Sequence, residues 1–230
     1  QCDADMGLQE PVHMVRHVEL TPATMRAYTK MHTTFTVEVK AGTVTAANAL
    51  SKLLRLQQIT SGYLPVNDGE RIEQIGTEKR DELADILEDL DMREPIVVFA
   101  RFRHDLDQIK AAVEASGRTY AELSGRANDL AVWQQGGADV IGVQIQAGGV
   151  GISLVRARYC IYYSLGYSLG DYEQSLARVH RPGQKEQVTY IHLIAKGTVD
   201  ERVYSALRKR KEVIADILEM ERGHDTGVKL

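Results

Sequence analysis

Residues 96–100 read IVVFA, a short and wholly apolar run directly after Pro95. A half-exposed strand would alternate polar and apolar residues, and a buried helix would be longer. The run therefore suits a strand covered on both faces, as in a parallel sheet. The rest of the chain is consistent with such a strand. Leu83, Ile86, Leu87 and Leu90 mark one face of a helix before it, and a helix over 106–115 follows. A strand at 120–123, a helix at 130–134 and strands at 140–143 and 159–163 come next. A helix from about Asp171 to Val179 and a last strand over 188–194 complete the series. Strands alternating with helices require crossover connections. The expected fold class is α/β, a parallel sheet flanked by helices.

The flanks read differently. Thr21 followed by Pro22 is a helix opening, a side-chain cap ahead of a residue whose missing N–H would be unpaired anyway, and predicts a helix to about Met31. From Ala46, the residues Leu50, Leu53, Leu54, Leu56 and Ile59 recur at helical spacing until Ser61 and Gly62 close the segment. Tyr63 to Gly76 carries Pro65, Asn67, Asp68 and Gly69 without periodicity, and reads as a linker. Near the C-terminus, Thr198 and Glu201 have the spacing of a capping box. Val199, Val203, Leu207, Ile214, Ile217 and Leu218 then predict one long C-terminal helix. Its basic run from Arg208 to Lys211 reads either as a nucleic-acid patch or as a solvated helix face, the second being favoured.

Bulk properties exclude several classes. A net charge of -4 argues against whole-surface attraction to nucleic acid, so DNA contact would need a local basic patch or backbone amides. Cys2 and Cys160 are far apart and in no paired spacing, which reads as two reduced thiols rather than a metal or redox site. No apolar run approaches the roughly 20 residues that cross a bilayer. The expectation is a soluble intracellular protein with no membrane partner, cytoplasmic if the source is bacterial or viral. The chain opens on Gln1 where an initiator Met would stand, so a longer reading frame is expected.

Two motifs carry chemistry. The first is QIQAGGVGISL, Gln144 to Leu154, after a predicted strand. Gly148, Gly149 and Gly151 allow a sharp turn whose amide N–H groups could face an anion, though a plain strand-to-helix turn has the same composition. A dinucleotide fingerprint fails at its third position, which is Leu154, and Asp171 lies too far past the strand end to reach a ribose. The second is QSLARVHRPGQ, Gln174 to Gln184. Gln174, Arg178 and Arg181 stand at i, i+4 and i+7, which predicts all three on one helical face. Two guanidiniums there would suit phosphate oxygens. Pro182 and Gly183 then stop the helix.

The order of these motifs, a glycine turn after one strand, a further strand, then the Gln and two-Arg helix, resembles the second RecA-like lobe of superfamily two helicases. The Swi/Snf-type branch is the nearer match. QIQAGGVGISL looks like its motif V and QSLARVHRPGQ, with a His-Arg-x-Gly-Gln ending, like its motif VI. EPIVVFARFRHDLDQI resembles motif IV and its helix, KGTVDERVYSALRKRK the closing helix, and LTPATMRAY and LLRLQQITSGYL the helices joining the lobes. The resemblance implies residues 1–75 as inter-lobe helices and linker, 76–195 as the RecA-like lobe, and 196–230 as a C-terminal helix packing back on the motor.

It also implies a role for each matching residue. Arg181 would be the arginine finger and Arg178 its catalytic partner, both aimed at ATP. Gln174, Gly149 and Gly151 would join them in ATP binding, and Gln144, Ala147, Gly148 and Gly149 would face duplex DNA. ATP and Mg2+ would be bound mainly by a first RecA-like lobe of the same polypeptide. That lobe's parts are missing here. No G-x-x-x-x-G-K-[ST] loop occurs, and Asp81 and Glu82 follow no apolar strand, so they make no Walker B site. This chain alone is expected to be inactive as an ATPase. The segment SGRANDLAVWQQGGAD is short for the family, which puts DNA contacts from it in doubt, and Trp133 should fill an aromatic core position. The alternative function is a stand-alone DNA-binding or regulatory module without hydrolysis. The motif VI ending favours duplex DNA over RNA, and the compact build a bacterial or viral translocase over a chromatin remodeller.

Overall fold

The computed structural model of the chain describes residues 8–39, 42–45, 48–66, 71–147 and 151–210. The elements run β1 (Val12–Val18), α1 (Pro22–Thr34), β2 (Thr36–Val39), β3 (Gly42–Thr45), α2 (Ala49–Thr60), β4 (Tyr63–Val66), β5 (Arg71–Gln74), α3 (Glu78–Asp89) and β6 (Ile96–Ala100). They continue with α4 (Arg103–Ala115), β7 (Tyr120–Leu123), α5 (Leu130–Gln134), β8 (Val140–Gln144), β9 (Tyr159–Tyr162), α6 (Leu169–Val179), β10 (Thr189–Ala195) and α7 (Val199–Arg208). A 3-10 turn, Ile145–Ala147, follows β8. Two compact units result, one from residues up to Arg16 with Arg80–Leu193, the other from His17–Lys79 with residues from Ile194 on.

The first unit is organised by a six-stranded sheet in the order β1-β10-β9-β6-β8-β7. The pairings of β10 with β9, β9 with β6, β6 with β8 and β8 with β7 are all parallel. All five residues of β6 are buried, because β8 and β9 take its two edges and helices cover its faces. The α4 stripe of Leu106, Ile109 and Val113 is fully buried, as is Trp133 of α5. Gly142 sits in the middle of β8 because the Tyr120 ring of β7 occupies the space where a Cβ would stand.

The structure departs from the sequence reading in four places. First, β1 joins the sheet beside β10, with Val12 N–H donating to the Val188 carbonyl at 2.8 Å. Its pattern of His and Arg between valines gave no strand signal. Second, β2 and β3 pair as an antiparallel hairpin, Thr36 opposite Thr45.

Third, the expected linker is also a hairpin, with β4 and β5 antiparallel and Tyr63 opposite Gln74. Pro65 is tolerated because a two-stranded ribbon leaves every other N–H unpaired. Gly62 (φ 86°) turns the chain into it and accepts Ile75 N–H at 2.8 Å and Gly76 N–H at 3.0 Å. Fourth, the long C-terminal helix is short within the described residues. It ends at Arg208, and Arg210 is left-handed at φ 55°. Ile214, Ile217, Leu218 and Lys211 lie outside the described residues. The cap itself is shifted by one residue. Thr198 accepts from Asp200 N–H, while the Glu201 carboxylate accepts from Gly197 N–H at 3.1 Å.

In the second unit, α1, α2 and α7 contribute an apolar core of Tyr28, Met31, Leu53, Leu56, Ile59, Val199 and Val203. A buried ion pair crosses it. Lys79, 2% exposed, meets Asp200 at 2.6 Å. The Asp200 carboxylate also accepts from the Thr60 hydroxyl at 3.0 Å and from Ala195 N–H at 3.3 Å. The Tyr28 hydroxyl oxygen accepts from Val199 N–H at 2.7 Å, which holds the start of α7 against α1.

Removing one partner of a buried pair strands the other charge. Lys79→Met should therefore cost about 3–5 kcal/mol in denaturant unfolding, and adding Asp200→Leu should recover much of that loss. A cost below about 1 kcal/mol for the single change would show that water reaches the pair. Gly142→Ala should destabilise by about 1–3 kcal/mol, although the same change at an open strand site is mildly favourable. The two-residue change Gly142→Ala with Tyr120→Leu should cost less than the sum of the single changes, measured in the same way.

Candidate functional site

In an all-parallel sheet every strand delivers its following loop to the same edge. Here β6 leads through α4 to β7 on one side, while β9 leads through α6 to β10 on the other. The connections leaving β6 and β9 therefore run in opposite directions, a topological switch point of the kind where open α/β sheets commonly hold ligands. Arg101 follows β6. Its N–H donates to the Ser164 hydroxyl at 2.8 Å, its guanidinium lies 4.1 Å from the centre of the Tyr167 ring, and its carbonyl accepts from Gln144 Nε2 at 3.5 Å. The Ser164 hydroxyl in turn donates to the buried Asp105. Gln144, expected at this edge, is there, half-buried at the end of β8. Arg101, Ser164, Asp105 and Tyr167 carried no assigned role in the sequence, because their contacts join segments some 60 residues apart.

Ala147 ends the 3-10 turn after β8, while Gly148 and Gly149 lie outside the described residues. Gly151 has φ 102°, and no atom lies near the position a Cβ would take, so its glycine answers to backbone conformation alone. Beyond it the chain is strapped on two sides. Toward α5, the Gln134 side-chain amide donates to the Ser153 carbonyl at 2.8 Å, and Arg156 donates to the carbonyls of Trp133 and, at 2.8 Å, Ala138. Burial pushes the Arg156 pKa down, and Asp139 opposes that shift. Toward α6, Leu154 N–H donates to the Arg178 carbonyl at 2.9 Å. Gln184 completes this side. Its Nε2 donates to Val155 and Ala157 at 3.2 and 2.8 Å, and its Oε1 accepts from Lys185 and Glu186 N–H at 2.9 and 3.0 Å.

Ser168 caps α6 by accepting from Asp171 N–H at 3.1 Å. Arg178, 5% exposed, donates to the exposed Gln174 side chain at 2.7 Å, one helical turn back. Burial pushes the Arg178 pKa down while the Asp171 carboxylate raises it. The helix ends at Val179, and His180 (ψ 87°) breaks it. Arg181 is therefore not on the helical face with Gln174 and Arg178, as the i+7 spacing predicted. It stands exposed on the following turn, and its carbonyl accepts from Gln184 N–H at 3.0 Å. The residue before a proline avoids helical ψ, and Arg181 precedes Pro182.

Asp81 and Glu82 lie on α3, where Glu82 is paired with Arg16 at 2.6 Å. Among the described residues no group of three or more His, Cys, Asp or Glu stands close enough to hold a metal ion. None of the described helices is long and apolar enough to cross a membrane.

Residues 78–183 match the family model described as the helicase conserved C-terminal domain. An uncharacterized ATP-dependent helicase of Mycoplasma pneumoniae is 27% identical over 210 residues, 88% of this chain and 20% of that protein. The chain spans well under two thirds of the length of the first curated relatives it matches. Among solved structures, the C-terminal part of the Fun30 ATPase domain superposes with a TM-score of 0.65 at 17% identity, covering 86% of this chain and 88% of that one. The Sulfolobus solfataricus SWI2/SNF2 ATPase core in complex with dsDNA gives 0.64 at 22% identity, over 90% of this chain and 46% of that one. Residues 78–183 thus match a helicase conserved C-terminal domain, and over most of its length the chain shares the fold of the Fun30 and Sulfolobus solfataricus SWI2/SNF2 ATPase structures.

Proposed function

We propose that this lobe works as half of a DNA-dependent ATPase, supplying Arg181 as arginine finger to ATP held by a first RecA-like lobe of the same polypeptide. Arg178 acts as its partner and Gln174 as the brace of Arg178. Gly149 and Gly151 take part in ATP binding, and Gln144, Ala147, Gly148 and Gly149 in binding duplex DNA. Residues 76–195, with β1 added to their sheet, form the lobe, and the rest of 1–75 and 196–230 are the segments that join it to the rest of the motor.

The observation that carries this reading is the bonding between the two motifs. Leu154 N–H meets the Arg178 carbonyl, and Gln184 binds Val155 and Ala157 through its side chain and the Arg181 carbonyl through its backbone. A glycine turn shifted by DNA would thus pull directly on the segment that carries both arginines. The dsDNA in the Sulfolobus solfataricus complex supports duplex DNA as the second partner. With a net charge of -4, DNA contact rests on this edge and not on bulk attraction.

Chemically, a guanidinium beside the transferring phosphoryl group offsets charge that spreads over its oxygens in the transition state. ATP is the substrate. Mg2+, for which the described residues offer no carboxylate cluster, would be held by the first lobe and the phosphates.

The test is ATP hydrolysis by the full-length reading frame containing this segment, with and without duplex DNA, beside its Arg181→Ala variant. DNA-stimulated turnover that falls by roughly 10³-fold or more in the variant is the expected result, and this chain alone should hydrolyse nothing above background. A full-length protein that binds DNA yet never hydrolyses ATP would instead make the arginines phosphate contacts in a binding module.

A further inference from the structure

The face of α6 that packs on the sheet carries Tyr172, Ser175, Arg178 and Val179, and of these only Val179 is purely apolar. A helix docked mainly by polar groups needs each of them satisfied, since a buried hydroxyl without a partner is costly.

The hydrogen bonds assign a direction to each proton. The Ser175 hydroxyl donates to the Tyr172 carbonyl at 2.7 Å, so it accepts from the Tyr162 hydroxyl, also at 2.7 Å. His192 is fully buried. Its Nδ1 lies 3.2 Å from the Met14 carbonyl, which only accepts, so Nδ1 carries the proton. Nε2, on the far side of the ring, pairs with the Tyr172 hydroxyl at 3.0 Å. A fourth hydroxyl, that of Tyr190, donates to the Leu176 carbonyl at 2.7 Å. The layer beneath is rigid as well as polar. His192 stacks on Tyr162 at 4.8 Å with 3° between planes, and Tyr162 stacks on Phe99 of the central strand at 5.1 Å.

Apolar contacts let a helix roll or slide by small amounts, whereas hydrogen bonds lose strength quickly with angle. Bonds from β9 and β10 to consecutive turns of α6 leave it one rotational setting. We propose that Tyr172 and Ser175, held by His192 and Tyr162, are positioning residues that set the roll of α6 and so the presentation of Arg178 and, through the turn at His180, of Arg181. This rests on the function proposed above, and it assigns roles to residues that touch neither nucleotide nor DNA.

The experiment uses the full-length protein with Ser175→Ala, Tyr172→Phe and the milder Tyr162→Phe, each in the wild-type and the Arg181→Ala background. Single-turnover and steady-state ATP hydrolysis on duplex DNA are measured together with thermal melting. If α6 is a positioned element, each change lowers kcat by roughly tenfold, in line with the steep cost of misplacing a catalytic group. KM for ATP stays within about twofold, and the loss disappears when Arg181 is already alanine, because residues acting as a unit are not additive.

Variants that melt well above the assay temperature and keep wild-type kcat would overturn the inference. So would losses that multiply with that of Arg181→Ala, which would mark the layer as scaffold only. Should the two α6 variants melt too low, Tyr162→Phe alone decides between these results. A wild-type protein with no DNA-stimulated hydrolysis would instead remove the proposed function, and this inference with it.

Discussion

A strand with no face and no edge in water must hand every backbone polar group to a neighbour, and β6 is such a strand. Its five residues are all buried, and it is paired along one edge with β8 and along the other with β9. Both pairings are parallel, so each return to the sheet needs a crossover, and the crossovers supply the helices that keep β6 dry. The same parallelism sends every loop after a strand to one edge. Arg101, Gln144, Ser164 and Tyr167 are therefore neighbours because of how the central strand is buried, although they come from three separate segments of the chain.

At the far end of α6, beside the segment that enters β9, the lobe holds polar contact on an apolar foundation. Arg178 is buried, its guanidinium bonded to Gln174 and its carbonyl to Leu154. Removing a guanidinium from water is expensive, and its lowered pKa is the sign of that cost. The Asp171 carboxylate and the Gln174 amide offset part of it. Arg181, by contrast, stands in water on the turn beyond the helix. The two arginines thus differ in kind, one built into the lobe and the other at its surface.

The sequence made the sheet legible because burial on both faces leaves a mark that no other element shares. IVVFA coincides with β6, and Tyr120–Leu123 and Leu130–Gln134 appear as β7 and α5 within the same limits. Strands lacking that mark were missed. In β1 the residues His13, Arg16 and His17 interrupt the valines of an edge strand, and in β4 a proline and nearby turn residues mask a ribbon that needs only alternate N–H groups. The second motif does fall on a helix, α6, but the i+7 projection carried Arg181 past the end of that helix at Val179, ahead of Pro182. Gln184, Arg101 and Ser164 were unreadable for another reason. Their importance lies in distances across the sheet, and no periodicity encodes those.

The separation of the two arginines also bears on why half a motor would do nothing. Two unit charges 4 Å apart attract by about 1 kcal/mol in bulk water and by about 4 kcal/mol at the effective dielectric of a partly closed protein site. On the proposed reading an exposed Arg181 offers almost no differential stabilisation until a second lobe closes over the nucleotide and excludes water. Arg178 already sits in the low dielectric that closure would create, and through Leu154 and Gln184 it shares a framework with the glycine turn. On that reading closure would need to desolvate only the exposed Arg181 side chain, while DNA would act through a segment that Leu154 and Gln184 tie to Arg178. Turnover would then depend on both lobes and on DNA without a large rearrangement at the end of α6.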